Sequence, residues 1–123
     1  MANTATAQTA LPIQTRGVGV NITPYLVSID TVDTDLTIVT PSTAAIACIV
    51  GMMFSETNAQ TLTFKSGTTI QIAFELAPYQ GLFLPLGDQV YLATQPGEAL
   101  KIRSSAAVSS ALIYIAQTSK VIF

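Results

Sequence analysis

The chain has 123 residues, of which 50% are hydrophobic and only 10% charged, with a formal net charge of −2 and no histidine. The acidic balance excludes the clustered Lys and Arg of a nucleic-acid footprint, and the missing histidine excludes Ser/His/Asp chemistry and most zinc sites. A soluble domain typically carries about a quarter charged residues, so part of the uncharged surface is expected to be covered by other subunits, as charge-depleted interface cores are.

Met1 to Thr15 repeats Ala, Thr and Gln without an apolar period. It is expected to be an arm, mobile until something binds it, with Leu11, Pro12 and Ile13 as its apolar anchor on a neighbour. Its start has neither a basic n-region nor an apolar h-region, so it does not read as a secretory signal. Residues 16–123 then form a single β-sandwich domain, long enough for one core. Arg16 to Ile22 is the first predicted strand, with Gly17 and Gly19 marking a bulge or a close approach, and Pro24 closes it. Tyr25 to Val32 is the second. Asp30, Asp33 and Asp35 follow it, and three carboxylates could suit a hard cation. Their spacing matches no EF-hand, and an Asp- and Thr-rich turn explains them better.

Leu36 to Thr40 is the next strand, stopped at Pro41. Ala44 to Ser55 is apolar on both faces and reads as a central strand. It falls short of the roughly 18 residues of a membrane span. Within it Met52 and Met53 fill core gaps, and Cys48 is a buried, inert thiol with no histidine to activate it. Gln60 to Arg103 holds two predicted hairpins. Leu62 and Phe64 alternate with polar residues, as do Ile70, Ile72 and Phe74, across a Lys65-Ser66-Gly67-Thr68 turn. Val90 and Leu92 are then expected to face Leu100 and Ile102 across Gln95-Pro96-Gly97-Glu98. Between the hairpins, Pro78, Gly81, Pro85 and Gly87 permit only a short strand at Leu82 to Leu84. Tyr79 and Phe83 could form a stacking platform, but with no Trp and few charges beside them they read as core and corner packing. Ser110 to Thr118 is the partner of the other buried strand. Lys120 to Phe123 is an apolar tip expected to be docked, on its own sheet or on a neighbour.

Eight or nine short strands, regular turn signals and no helical period define an all-β fold: an antiparallel two-sheet sandwich, jelly-roll-like, with an extended N-terminal arm. An immunoglobulin-like sandwich lacks its Cys, Trp, Cys framework here. Glu56, Glu75, Asp88 and Glu98 are dispersed at turns and strand ends and form no acid/base constellation, so the chain reads as a non-enzyme that needs no cofactor or metal.

Four segments carry a resemblance: LTFKSGTT, the loop of Phe83 to Pro85, ATQPGEALKIRSSAAV, and the closing ALIYIAQ. Over Leu62 to Gln117 the chain resembles small β proteins of tailed-phage structural modules, and among these the jelly-roll capsid decoration, or cement, proteins. The resemblance implies a virion protein made in the host cytoplasm and placed on the capsid surface. There it would bind the major capsid protein and bridge capsomers as a homotrimer, less often a dimer, with no nucleic-acid or membrane partner. Leu11, Pro12, Ile13, Arg16 and Phe123 are then the candidate assembly contacts. A phage tail or fibre subunit shares these features, and a carbohydrate-binding β module is the remaining alternative.

Overall fold

The computed structural model describes residues 3–8, 11–15, 18–86 and 90–118. Among them are eleven strands and no helix: β1 Thr4–Ala7, β2 Leu11–Thr15, β3 Val18–Ile29, β4 Leu36–Val39, β5 Ile46–Ser55, β6 Gln60–Ser66, β7 Thr69–Leu76, β8 Gly81–Leu84, β9 Leu92–Ala93, β10 Leu100–Ser104 and β11 Val108–Thr118. Every pairing is antiparallel. The larger sheet runs β3-β11-β5-β8, with β1 and β2 both paired to the outer side of β3 and β9 continuing β8 along β5. The smaller sheet runs β4-β10-β6-β7. From β3 onward the chain changes sheet at nearly every connection, and this strand order is that of a jelly roll.

The core lies between the sheets. Tyr25, Val27 and Ile29 of β3, Ile49, Met52 and Phe54 of β5, and Ile113 and Ile115 of β11 meet Leu62 and Phe64 of β6 and Leu100 and Ile102 of β10. β6 and β10 alternate buried and half-buried positions along their length. That is the period-two pattern of strands with one face in a core. Phe64 is nearly fully buried and meets the ring of Phe74 edge-on, with centroids 6.2 Å apart, a favoured aromatic geometry. β5 and β11 pair with each other at the centre of the larger sheet, as their apolar sequences require.

Two expectations about prolines and hairpins are corrected. Pro24 does not close a strand, because β3 runs straight through it. Its carbonyl accepts from Gln8 N at 2.8 Å. In an antiparallel strand a residue's N and O point to the same side, so its missing donor faces the gap where the edge passes from β1 to β2. No ladder bond is lost there. The Gln95 to Glu98 turn exists, with Glu98 N donating to Gln95 O at 3.1 Å. Its arms part, however: β9 pairs with β5 in one sheet, and β10 lies between β4 and β6 in the other. Both edges of β10 are thereby filled, which leaves it no place for Val90 and Leu92.

The β6–β7 hairpin forms as expected, with Ser66 opposite Thr69 and Gly67 at φ +60°. Its second arm is not buried as its alternation suggests. β7 is the outermost strand of its sheet, and after a bulge at Phe64/Lys65 Ile70 stands opposite Lys65, 61% exposed. Of the adjacent methionines only Met52 fills the core. Met53 points the other way and is 48% exposed. The N-terminal segment expected to be mobile supplies β1 and β2, and Asn3 Oδ1 accepts from the amides of Asp30 and Thr31, each at 2.8 Å.

Cys48 is fully buried, and burial pushes its thiol up from 9.0 to about 11. Between those values the unfolded chain loses the thiol proton while the folded chain keeps it, so stability is unaffected below about pH 9 and falls as pH rises above it. Thermal unfolding from pH 7 to pH 10.5 should show this slope, and Cys48→Ala should flatten it. A second prediction concerns Gly97, held at φ +74°, where a Cβ would stand 3.1 Å from Thr43 O and 3.3 Å from its Cα. Gly97→Ala should destabilise the fold by about 1–3 kcal/mol in urea titration, since both backbone strain and a close approach must be relieved.

Candidate functional site

The two outer faces of the sandwich differ in chemistry. On the smaller sheet, Lys101 and Arg103 of β10 stand beside Lys65 and Thr63 of β6, and Thr61 stands beside Glu75 of β7. Asp35 lies over this face, its carboxylate 3.1 Å from Lys65 Nζ and 3.6 Å from Arg103 Nη1. Exposed pairs of this kind contribute little stability, about 0–1 kcal/mol, but they keep the face wet. Asp33, with φ 54°, and Asp30 stay in the connecting turn, and among the described residues no three His, Cys, Asp or Glu side chains come together as metal ligands.

The larger sheet presents no charged side chain in the strand rows of its outer face among the described residues. Register aligns a single row across it: Thr6 of β1, Leu26 of β3, Leu112 of β11, Met53 of β5 and Phe83 of β8. Leu26 is 43% exposed, Met53 48% and Phe83 64%, and Leu112 is half-buried. An open groove of about 410 Å³ follows the row, with Ser55, Gly81 and Ser110 on its flank. A second recess of about 310 Å³ lies at the β1 end, lined by Thr4, Thr6, Gln8, Leu26 and Ser28 among others. The flanking side chains are small, so the apolar row stands proud of its surroundings.

The other half of this face is covered. Ile22, Ile46, Cys48, Val50 and Ala116 form a smaller cluster with Val90, Ala93 and Tyr114 packed against it. Leu86 lies over Gly51, where a Cβ would stand 3.2 Å from Leu86 Cα, and Tyr91 Oη holds the loop by donating to Pro85 O at 2.7 Å. The cover ends short of Leu112, which leaves the row as the uncovered remainder of an apolar face. An open apolar strip of this kind usually marks an interaction site.

Tyr79 and Phe83 are not packed as their neighbours suggest. Tyr79 is 78% exposed at φ 61°, its amide donating to Glu56 O at 3.1 Å. Phe83 is displaced outward because Leu82 and Leu84 take the inward positions of β8. A polar recess lined by Gln60, Thr61, Glu75 and Ser105 lies at the end of the smaller sheet. Its buried Gln60 donates to Ser104 Oγ at 2.9 Å and belongs to the local turn structure.

The candidate assembly contacts read from the sequence are not gathered at this face. The backbone of Leu11, Pro12 and Ile13 lies in β2, paired with Ile22, Asn21 and Val20 of β3, and their side chains lie outside the description. Arg16 and Phe123 lie outside the described residues. The row was not found from the sequence because its members come from four separate strands. Only the register brings Leu26, Leu112, Met53 and Phe83 together. A usable signal was present in Met53 and Phe83, each apolar and each next in sequence to a residue that faces inward.

No protein-family model matches the chain, and no curated protein matches it. Among solved structures it is similar to the carbohydrate-binding module of Cellvibrio mixtus lichenase 5A, solved in complex with cellotriose, at 13% identity over 94% of this chain and 91% of that chain, with a TM-score of 0.30.

Proposed function

We propose that the protein is a structural assembly subunit that works by surface association without catalysis, and that its site of action is the outside of a phage capsid, where it decorates the lattice. The observation that supports this reading most directly is the segregation of charge. The smaller sheet carries Lys65, Lys101, Arg103 and Glu75 on its outer face, while the strand rows of the larger sheet's outer face hold no charged side chain among the described residues and carry an apolar row four strands wide. Sequence phrasing that resembles the capsid decoration proteins points the association toward a shell. On such a lattice the mechanism is mass action. A subunit that binds the assembled shell and not its separated parts stabilises the shell by its binding free energy, repeated at every site.

A second reading is favoured by one observation, the exposure of Tyr79 and Phe83, since exposed rings can stack on sugars. Titration of the labelled protein with soluble oligosaccharides tests it, and shifts confined to the amides around Tyr79 and Phe83 would move this reading to the front. The capsid reading is tested by co-sedimentation with purified phage shells that lack the protein. It expects saturable coating and a raised thermal midpoint of the coated shell. Protein that stays in the supernatant at every concentration would overturn it.

A further inference from the structure

We infer that the polar recess at the end of the smaller sheet is a binding site for a guanidinium group, the head of an arginine side chain presented by a partner protein. The site is separate from the apolar row, and the inference does not depend on the capsid reading.

Four acceptor-bearing residues, Gln60, Thr61, Glu75 and Ser105, line this recess of about 400 Å³. Register sets them around the start of β6. Thr61 stands opposite Glu75, and Gln60 stands opposite Leu76 one position earlier. Ser105 closes the β10 side, where its amide donates to Thr61 O at 3.2 Å and its Oγ accepts from Thr61 N at 2.9 Å. Gln60 is the informative member, only 4% exposed. Its Nε2 donates to Ser104 Oγ at 2.9 Å and to Ala106 O at 3.5 Å, and neither of those residues lines the recess. The other arm of the carboxamide diverges from them, and its Oε1 has no hydrogen-bond partner among the described residues. Turning the carboxamide over does not cure this. Ser104 Oγ already donates to Ala106 O at 2.6 Å, so the oxygen would then face two acceptors. A buried acceptor without a donor costs free energy, and a folded protein seldom keeps one without a use.

Charge selects what could serve it. Glu75 is exposed and takes no part in the ion pairs of its sheet, which join Asp35 to Lys65 and Arg103. Among the described residues no Lys or Arg lines the recess, and the amide of Ala77 beside it is already bonded to Gln80 Oε1 at 2.8 Å. The recess therefore suits a positively charged group that only donates. A guanidinium carries five N–H donors in a planar fork and no acceptor, so it can pair with a carboxylate through two of them and keep others for neutral oxygens. The remaining walls suit the rest of an arginine. Ala59, Leu76 and Ala77 line the recess beside the acceptors, and arginine lays its methylene stem along apolar surface while its head stays among polar groups. A lysine ammonium has three donors and no fork.

Titration of the isotope-labelled full chain with N-acetyl-arginine amide, followed by NMR, tests the inference. The expected result is a saturable shift confined to the amides of Ala59 to Thr61, Glu75 to Ala77 and Ser105, with a Kd on the order of millimolar. N-acetyl-citrulline amide has nearly the same shape without the charge and should bind about tenfold more weakly or worse, with the lysine compound in between. Glu75→Gln keeps the size of an exposed side chain and should weaken arginine binding about tenfold, and Gln60→Met, which removes the unpaired acceptor, should weaken it roughly threefold or more. Unchanged circular dichroism confirms each fold, and Glu75→Gln decides the matter if Gln60→Met does not fold. No saturable shift at roughly 100 mM, equal binding of the citrulline compound, shifts centred on the apolar row, or an unchanged Kd in Glu75→Gln would each overturn the inference. Co-sedimentation with shells bears only on the capsid reading, so the two fail separately.

Discussion

The pairing of β5 with β11 is the constraint from which the rest of the sandwich follows. Each strand has a neighbour on both sides and a sheet face on both surfaces, so its side chains must suit a core on one face and whatever covers the other. Inward, Ile49, Met52, Phe54, Ile113 and Ile115 meet the smaller sheet. Outward, a register shift between Tyr114 and Ile115 changes the alternation, and Cys48, Val50 and Tyr114 gather under the loop that carries Leu86 and Val90. Strands that are apolar on both faces commit the protein to covering two surfaces, and the chain's own loop covers only part of the second.

The uncovered part explains an otherwise odd composition. With 10% charged residues, the chain has few charges to distribute. Several stand at the smaller sheet, where Asp35 is shared between Lys65 and Arg103. Among the described residues, this leaves the strand rows of the larger sheet's outer face to Ser, Thr, Gly and apolar residues. A surface of that kind costs solubility in a free monomer and costs little once a partner lies on it, since the apolar area leaves water and no charge has to be desolvated. The low charge and the jelly-roll topology are thus linked through one face.

Much of the fold was legible because it rests on local pattern. The alternation of Gln60 to Ser66, the apolar run of β5 and its likeness to β11, and the Gly67 and Gly97 turns are all written within short windows, and each is where the sequence places it. What failed was the choice of partner. The turn at Gln95 to Glu98 is correct, yet whether its arms pair with each other or pass to opposite sheets depends on β4 and β6 filling both sides of β10, which no local window contains. Ile70 and Phe83 failed for a related reason. Alternation tells which residues share a face, and only position in the sheet tells whether that face is covered. The candidate site is the extreme case, since Leu26, Leu112, Met53 and Phe83 become neighbours through three inter-strand registers at once.

The N-terminal segment bears on how such a protein could attach to anything. A free arm that orders on a neighbour loses about 1–2 kcal/mol of backbone entropy per residue at the moment of binding. Here β1 is already ordered on its own sheet, with Thr4 to Ala7 opposite Ser28 to Tyr25 and Asn3 closing the β3–β4 turn. That entropy is lost on folding and is not charged against association. The same pairing places Thr6 at the end of the apolar row, so the segment widens the face by one strand and forms the recess beside Leu26. Pro24 makes the arrangement possible by putting its missing donor at the point where β1 gives way to β2. Attachment through a preformed sheet face then needs fewer favourable contacts for a given affinity than attachment through an arm that must order on binding.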